Sequence, residues 1–232
     1  MTRRGLFVCL LGGLLGAPFG GAAAAGRAKG GLRYGEDPHQ TIEIHAPRQA
    51  QKLPMLVVFG GGELAEARRA ARALAGRGFV VALAGLRAMR PSGAVLIADA
   101  AAATIWVAGR GKGFGGDAGR LGVLGLGVSA DAALMIALDR RYMAGAGQPD
   151  LIRAAAALGR ASASERLDAT LTRPDAYVRA DAAPLWLGGR NAAETALAAR
   201  VEAVGGRARS VVRPDGAGLL DEAAAFLRRE LA

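Results

Sequence analysis

Ser129 is the side chain of this 232-residue sequence best placed to do chemistry. It lies in Leu121-Gly122-Val123-Leu124-Gly125-Leu126-Gly127-Val128-Ser129-Ala130-Asp131. The pattern predicts a short apolar strand over Leu121 to Leu126, a sharp turn over Gly127 to Ala130, and a helix from about Asp131. A serine on a strand-to-helix turn has the geometry of a nucleophile elbow, G-x-S-x-G, where strain holds the hydroxyl out of the turn. The following backbone N–H, that of Ala130, then sits at a helix start, where it can bind an oxyanion. Asp131 stands where the last glycine is expected, so the match is partial.

Two other readings use the same residues. A serine before a helix can simply cap it. Gly125-Leu126-Gly127-Val128-Ser129-Ala130 also fits the dinucleotide-binding pattern G-x-G-x-x-A. That pattern wants an acidic residue about twenty positions on, at the end of a second strand. The chain there is the loop Gly145-Ala146-Gly147-Gln148-Pro149-Asp150, which argues against it. A serine nucleophile needs a base, and the chain has two histidines, His39 and His45, both in its N-terminal quarter. No His pair has ligand spacing, and the single cysteine is Cys9, so neither a metal site nor a cofactor is expected.

The formal charge is +10, with 30 basic residues of which three are lysines. The arginines are scattered, without a dense basic run or interleaved aromatics. This pattern describes a solvated surface better than a nucleic-acid site. Residues 1–25 are separate in kind: Arg3-Arg4, an apolar run from Leu6 to Leu15, then Ala22-Ala23-Ala24-Ala25. A charged start, a short apolar core and a small-residue cleavage site define an export signal, and Arg3-Arg4 fits the twin-arginine type. The apolar run is too short to span a bilayer, so no stable membrane insertion is expected after cleavage. The mature chain, residues 26–232, would be one periplasmic or secreted domain without a thiol.

The remaining elements alternate. Strands are expected over Thr41 to His45, Met55 to Phe59, Phe79 to Leu83, Leu185 to Leu187 and Arg207 to Arg213, and over Leu151 to Leu158, a largely apolar run broken by Arg153 and Ala-rich enough to be a helix. Helices are expected over Leu64 to Ala75, Val95 to Val107, Ala193 to Val204 and Leu219 to Leu231. Gly30 to Asp37 reads as turns, and Ser162 to Val178 as short polar helices. Such alternation gives an α/β fold: a three-layer sandwich with a mostly parallel central sheet and helices on both faces.

From about Tyr34 onward the chain resembles the α/β-hydrolase superfamily, in its esterase and lipase-like branch. Tyr34-Gly35-Glu36-Asp37-Pro38 is similar to the family's entry segment, and Val57-Val58-Phe59-Gly60-Gly61-Gly62 to its H-G-G-G oxyanion loop. Leu74-Ala75-Gly76-Arg77-Gly78-Phe79-Val80-Val81 is similar to its helix-to-strand junction. The stretch Asp99 to Val107, with Phe114-Gly115-Gly116-Asp117, is similar to the lead into the elbow strand. The resemblance gives Ser129 the nucleophile's place, and the N–H groups of Ala130 and of Gly60 or Gly61 the oxyanion hole. It also implies an acid after Leu185 to Leu187, where Ala192 stands with Asn191 and Glu194 as near misses. The histidine it implies, in Pro214-Asp215-Gly216-Ala217-Gly218, is absent. The expectation is an exported, catalytically impaired protein with a degenerate triad, in a binding or structural role toward a small ester-like ligand. The alternative is an active carboxylesterase using Ser129 with an unorthodox base. Oligomeric state is left open.

Overall fold

Alternation of side chains along the strands decides the layers. In the computed structural model, which describes residues 26–60, 64–87, 93–160, 173–190 and 192–232, the strand β3 (Leu53–Phe59) is buried on both faces. Met55, Val57 and Phe59 face one core, while Leu56 and Val58 face the other. A strand buried on both sides reads as a continuous apolar run, and this one sits deep in the sheet.

Eight strands form one sheet in the order β1-β2-β4-β3-β5-β6-β7-β8. They are β1 (Arg27–Arg33), β2 (Thr41–Ala46), β3, β4 (Val80–Ala84), β5 (Gly116–Leu126), β6 (Ala154–Leu158), β7 (Leu185–Gly189) and β8 (Ala208–Val212). From β4 to β8 every pairing is parallel, and β1 and β2 are antiparallel. Helices α1 (Leu64–Gly76) and α6 (Leu219–Glu230) cover one face through Ala71, Leu74, Ala223 and Leu227. Helices α2 (Gly93–Arg110), α3 (Ala130–Leu138) and α5 (Ala193–Ala203) cover the other through Ile97, Leu134 and Val201. The short α4 (Arg141–Ala144) follows α3. The expected three-layer α/β architecture is therefore present.

One expectation is corrected. Gly30 to Asp37 was to be turns, but Arg27–Arg33 forms the edge strand β1, paired to β2 with a register shift between Lys29 and Leu32. Nearly every residue of β1 is exposed, so no apolar alternation announces it. Residues 1–25, read above as an export signal, Gly61, Asn191 and most of the polar stretch Ser162 to Val178 lie outside the described residues.

Helix α2 continues into a 3-10 turn, and Gly93–Phe114 is long and apolar enough to cross a membrane. Half of it is buried, with Leu96, Ile97, Ala100, Ala103 and Val107 packed in the core. Core burial accounts for its composition. Asp99 on this helix is 1% exposed. It accepts hydrogen bonds from Arg87 Nε and Nη2, from the Arg87 N–H, and from Gln40 Nε2 at 2.8 Å. The Tyr34 hydroxyl donates to the Gly85 carbonyl at 2.6 Å. Together these bonds fasten the entry segment to the end of β4.

Candidate functional site

The site is built where β5 ends. Phe59 of β3 lies beside Gly125 of β5 in the parallel register, which brings Gly60 next to the turn after Leu126. Gly125 lets α3 settle on the strand end: a Cβ there would stand 2.6 Å from the Ala130 Cα and 2.8 Å from the Ala133 Cβ. The turn reverses at Gly127, whose φ is +58°, in the left-handed region that side chains disfavour. Ser129 comes two residues later with φ −88° and ψ −2°, on the right-handed side of the backbone map. The left-handed backbone that marks an elbow apex is at Gly127, not at Ser129.

Ser129 is 2% exposed, and its hydroxyl donates to the Gly60 carbonyl at 3.2 Å. It makes no side-chain cap bond to α3, so the capping reading is not met. Its proton holds the end of β3 against the end of β5. The Ala130 N–H donates to the Gly127 carbonyl and closes the turn. Of the three backbone groups proposed to hold an oxyanion, then, Ala130 is engaged and Gly60 presents its carbonyl to Ser129. The third, Gly61, is not described.

Asp131, in the first turn of α3, is 6% exposed and accepts from Arg160 Nε at 2.7 Å. Arg160 leaves the end of β6 and is itself 5% exposed; its Nη1 lies 3.4 Å from the Ala193 carbonyl at the start of α5. One guanidinium therefore joins the first turns of α3 and α5 above the sheet. Glu194, the next residue of α5, is fully buried, and its Oε1 would stand 2.0 Å from a Cβ at Gly189, so it packs directly on the end of β7. Neither of its carboxylate oxygens has a hydrogen-bond partner among the described residues. Burial pushes its carboxyl above the usual range; its own backbone and Arg160 pull it part of the way back, and Asp131 pushes with burial.

The structure thus brings Ser129 and Gly60 together, and sets Asp131, Arg160 and Glu194 at the ends of the neighbouring strands. The histidines are elsewhere. β4 and β3 lie between β2, which carries His45, and β5. The His45 Nε2 lies 2.9 Å from Glu43 Oε1, and that carboxylate also takes Arg68 at 2.7 Å. His39 faces Asp37 at 3.0 Å. Among the described residues no group of three His, Cys, Asp or Glu side chains could hold a metal ion. Sequence reasoning missed Gly127 as the apex and Arg160 as the partner of Asp131. Neither is legible in the sequence: Gly125 to Asp131 accepts two registers for the apex, and nothing there pairs residues 29 positions apart.

A mostly parallel eight-stranded sheet, helices on both faces, and a glycine-pinched turn from a central strand into a helix define the α/β-hydrolase fold. The chain has this fold. It is similar to esterase 2 of Thermogutta terrifontis (18% identity, TM-score 0.69, 92% of this chain and 97% of that one). A carbohydrate esterase from gut microbiota superposes with TM-score 0.74 at 13% identity, over 90% of this chain and 98% of that one. An esterase of Pyrobaculum calidifontis gives 0.73 at 18%, over 89% and 86%. No family model and no curated protein matches the sequence.

Proposed function

We propose that this is an exported, catalytically impaired α/β-hydrolase-fold protein that binds a small ester-like molecule rather than cleaving it. The observation that carries this reading is the register of the turn. Gly125, Gly127 and Ser129 fall on the first glycine, the nucleophile and the last glycine of G-x-S-x-G, so the nucleophile's place has no side chain. The left-handed φ at Gly127 and the close approach of Gly125 to α3 both support that register. A buried Ser129 that spends its proton on Gly60 is a poor nucleophile, and neither histidine of the chain is on a neighbouring strand to activate it. Loss of the base alone lowers the rate of a well-studied serine protease by about 10⁶-fold.

The test is incubation of the purified chain with a fluorophosphonate probe. No labelling is expected, and rapid labelling at Ser129 would overturn the reading. The second reading, an active carboxylesterase using Ser129 with an unorthodox base, draws on the names of the similar structures, which are esterases. Hydrolysis of a short p-nitrophenyl ester discriminates: equal rates for the wild type and Ser129→Ala remove Ser129 from any activity. Export rests on the pattern of residues 1–25. Amino-terminal sequencing of periplasmic or secreted material should begin at Gly26.

A further inference from the structure

The end of the sheet opposite the elbow holds a cavity of about 520 Å³, where the chain enters β6, β7 and β8. Arg120, Arg140, Arg153, Arg179 and Arg207 line it. Against these five guanidinium groups stand three acidic side chains, Asp150, Asp181 and Glu230. Ala232 also lines the cavity, and a terminal carboxylate there would still leave an excess of one positive charge. Gly127 lies seven residues beyond Arg120, about 20 Å along the strand, so the cavity is separate from the turn described above.

Most of these arginines are braced. Arg140 Nη2 lies 2.9 Å from both Asp150 Oδ1 and Asp181 Oδ2. Arg179 donates from Nε to the Leu138 carbonyl at 2.9 Å and from Nη1 to Asp181 at 2.7 Å. Arg207 reaches Glu230 at 3.0 Å. A guanidinium has five N–H donors, and these contacts leave donors over on each fork. Arg153 is exposed; its backbone N–H donates to the Leu121 carbonyl at 2.8 Å, and its side chain has no ion pair or hydrogen bond among the described residues. Braced forks around a cavity, with an unpaired cation and a net positive charge, match the bidentate geometry of oxyanions. The volume lies within the range of small-molecule sites.

We infer that this cavity is a binding site for a small polyanion carrying phosphate or carboxylate groups, with Arg153 its unpaired contact. The site does not depend on whether the elbow is catalytic. Calorimetric titration of the full chain at low salt tests it, with inorganic pyrophosphate in one arm and citrate in the other. Saturable one-to-one binding of at least one of them is expected, with Kd of about 1 mM or tighter. Which arm binds identifies the oxyanion. Arg153→Glu and Arg153→Ala should each weaken binding about tenfold or more. Arg69→Glu, on the exposed side of α1, changes the net charge as much as Arg153→Glu and should leave the affinity within about twofold. No saturable binding in either arm, or equal loss in Arg153→Glu and Arg69→Glu, overturns the inference.

Discussion

At the scale of single residues, the buried charges above β5, β6 and β7 carry the sharpest consequences. Glu194 titrates near 4.5 when exposed, and burial raises that value in the folded chain. Between 4.5 and the raised value the folded state holds a proton that the unfolded state has released. Stability therefore falls as pH rises through this window. Glu194→Gln keeps the shape and removes the titration. Its melting temperature should exceed that of the wild type at pH 8, and the gap should close toward pH 4.5; parallel melting curves across this range would show that Glu194 does not titrate abnormally. Asp131 and Arg160 are a different case, because each neutralises the other out of water. Asp131→Ala strands the guanidinium and should cost about 3–5 kcal/mol. Replacing both, as Asp131→Leu with Arg160→Met, should recover most of that loss, as read by urea denaturation. If the double replacement is no more stable than the single one, the pair is not what holds these two residues.

Between elements, the contact to watch is α3 on the end of β5. Glycine at 125 lets the helix backbone come close enough for Ser129 to reach Gly60 on β3. Gly125→Ala forces a methyl against the Ala130 Cα, the Ser129 carbonyl and the Ala133 side chain. Two of these three contacts are backbone, so the strain cannot be relieved by a rotamer change. A loss of about 1–3 kcal/mol is expected in urea denaturation. Unchanged stability would mean that α3 shifts freely, and the tight turn would lose its structural explanation.

Across the whole molecule, one sheet separates two apolar layers. Trp186 is 1% exposed in the layer under α1 and α6, while Trp106 packs against the layer under α2, α3 and α5. The strands contribute side chains to both layers alternately, so neither layer can come apart without the other. Single-tryptophan variants, Trp106→Phe and Trp186→Phe, should therefore report the same denaturant midpoint as far-ultraviolet circular dichroism. Separate midpoints would show that the layers unfold independently.

Local order was legible in the sequence because it depends on local chemistry. A continuous apolar run marked β3, helical spacing of Leu64, Ala67, Ala71 and Leu74 marked α1, and Gly-rich punctuation marked the turns; the Ala-rich run of β6 fitted strand or helix until its pairing decided. The absence of a histidine after β8 is likewise a fact of sequence, and it supports the functional reading beside the register of the turn. β1 escaped because an exposed edge strand needs no apolar face, only a neighbour to pair with. The turn could be located in the sequence but its apex could not, since G-L-G-V-S-A-D accepts two registers. Only the packing of α3 against Gly125 and the left-handed backbone at Gly127 selects between them. The same holds for the buried charges. Asp131 is read from its neighbours as a helix-start carboxylate, whereas its partner Arg160 arrives from another strand, and that meeting exists only because the parallel register sets the ends of β5 and β6 side by side.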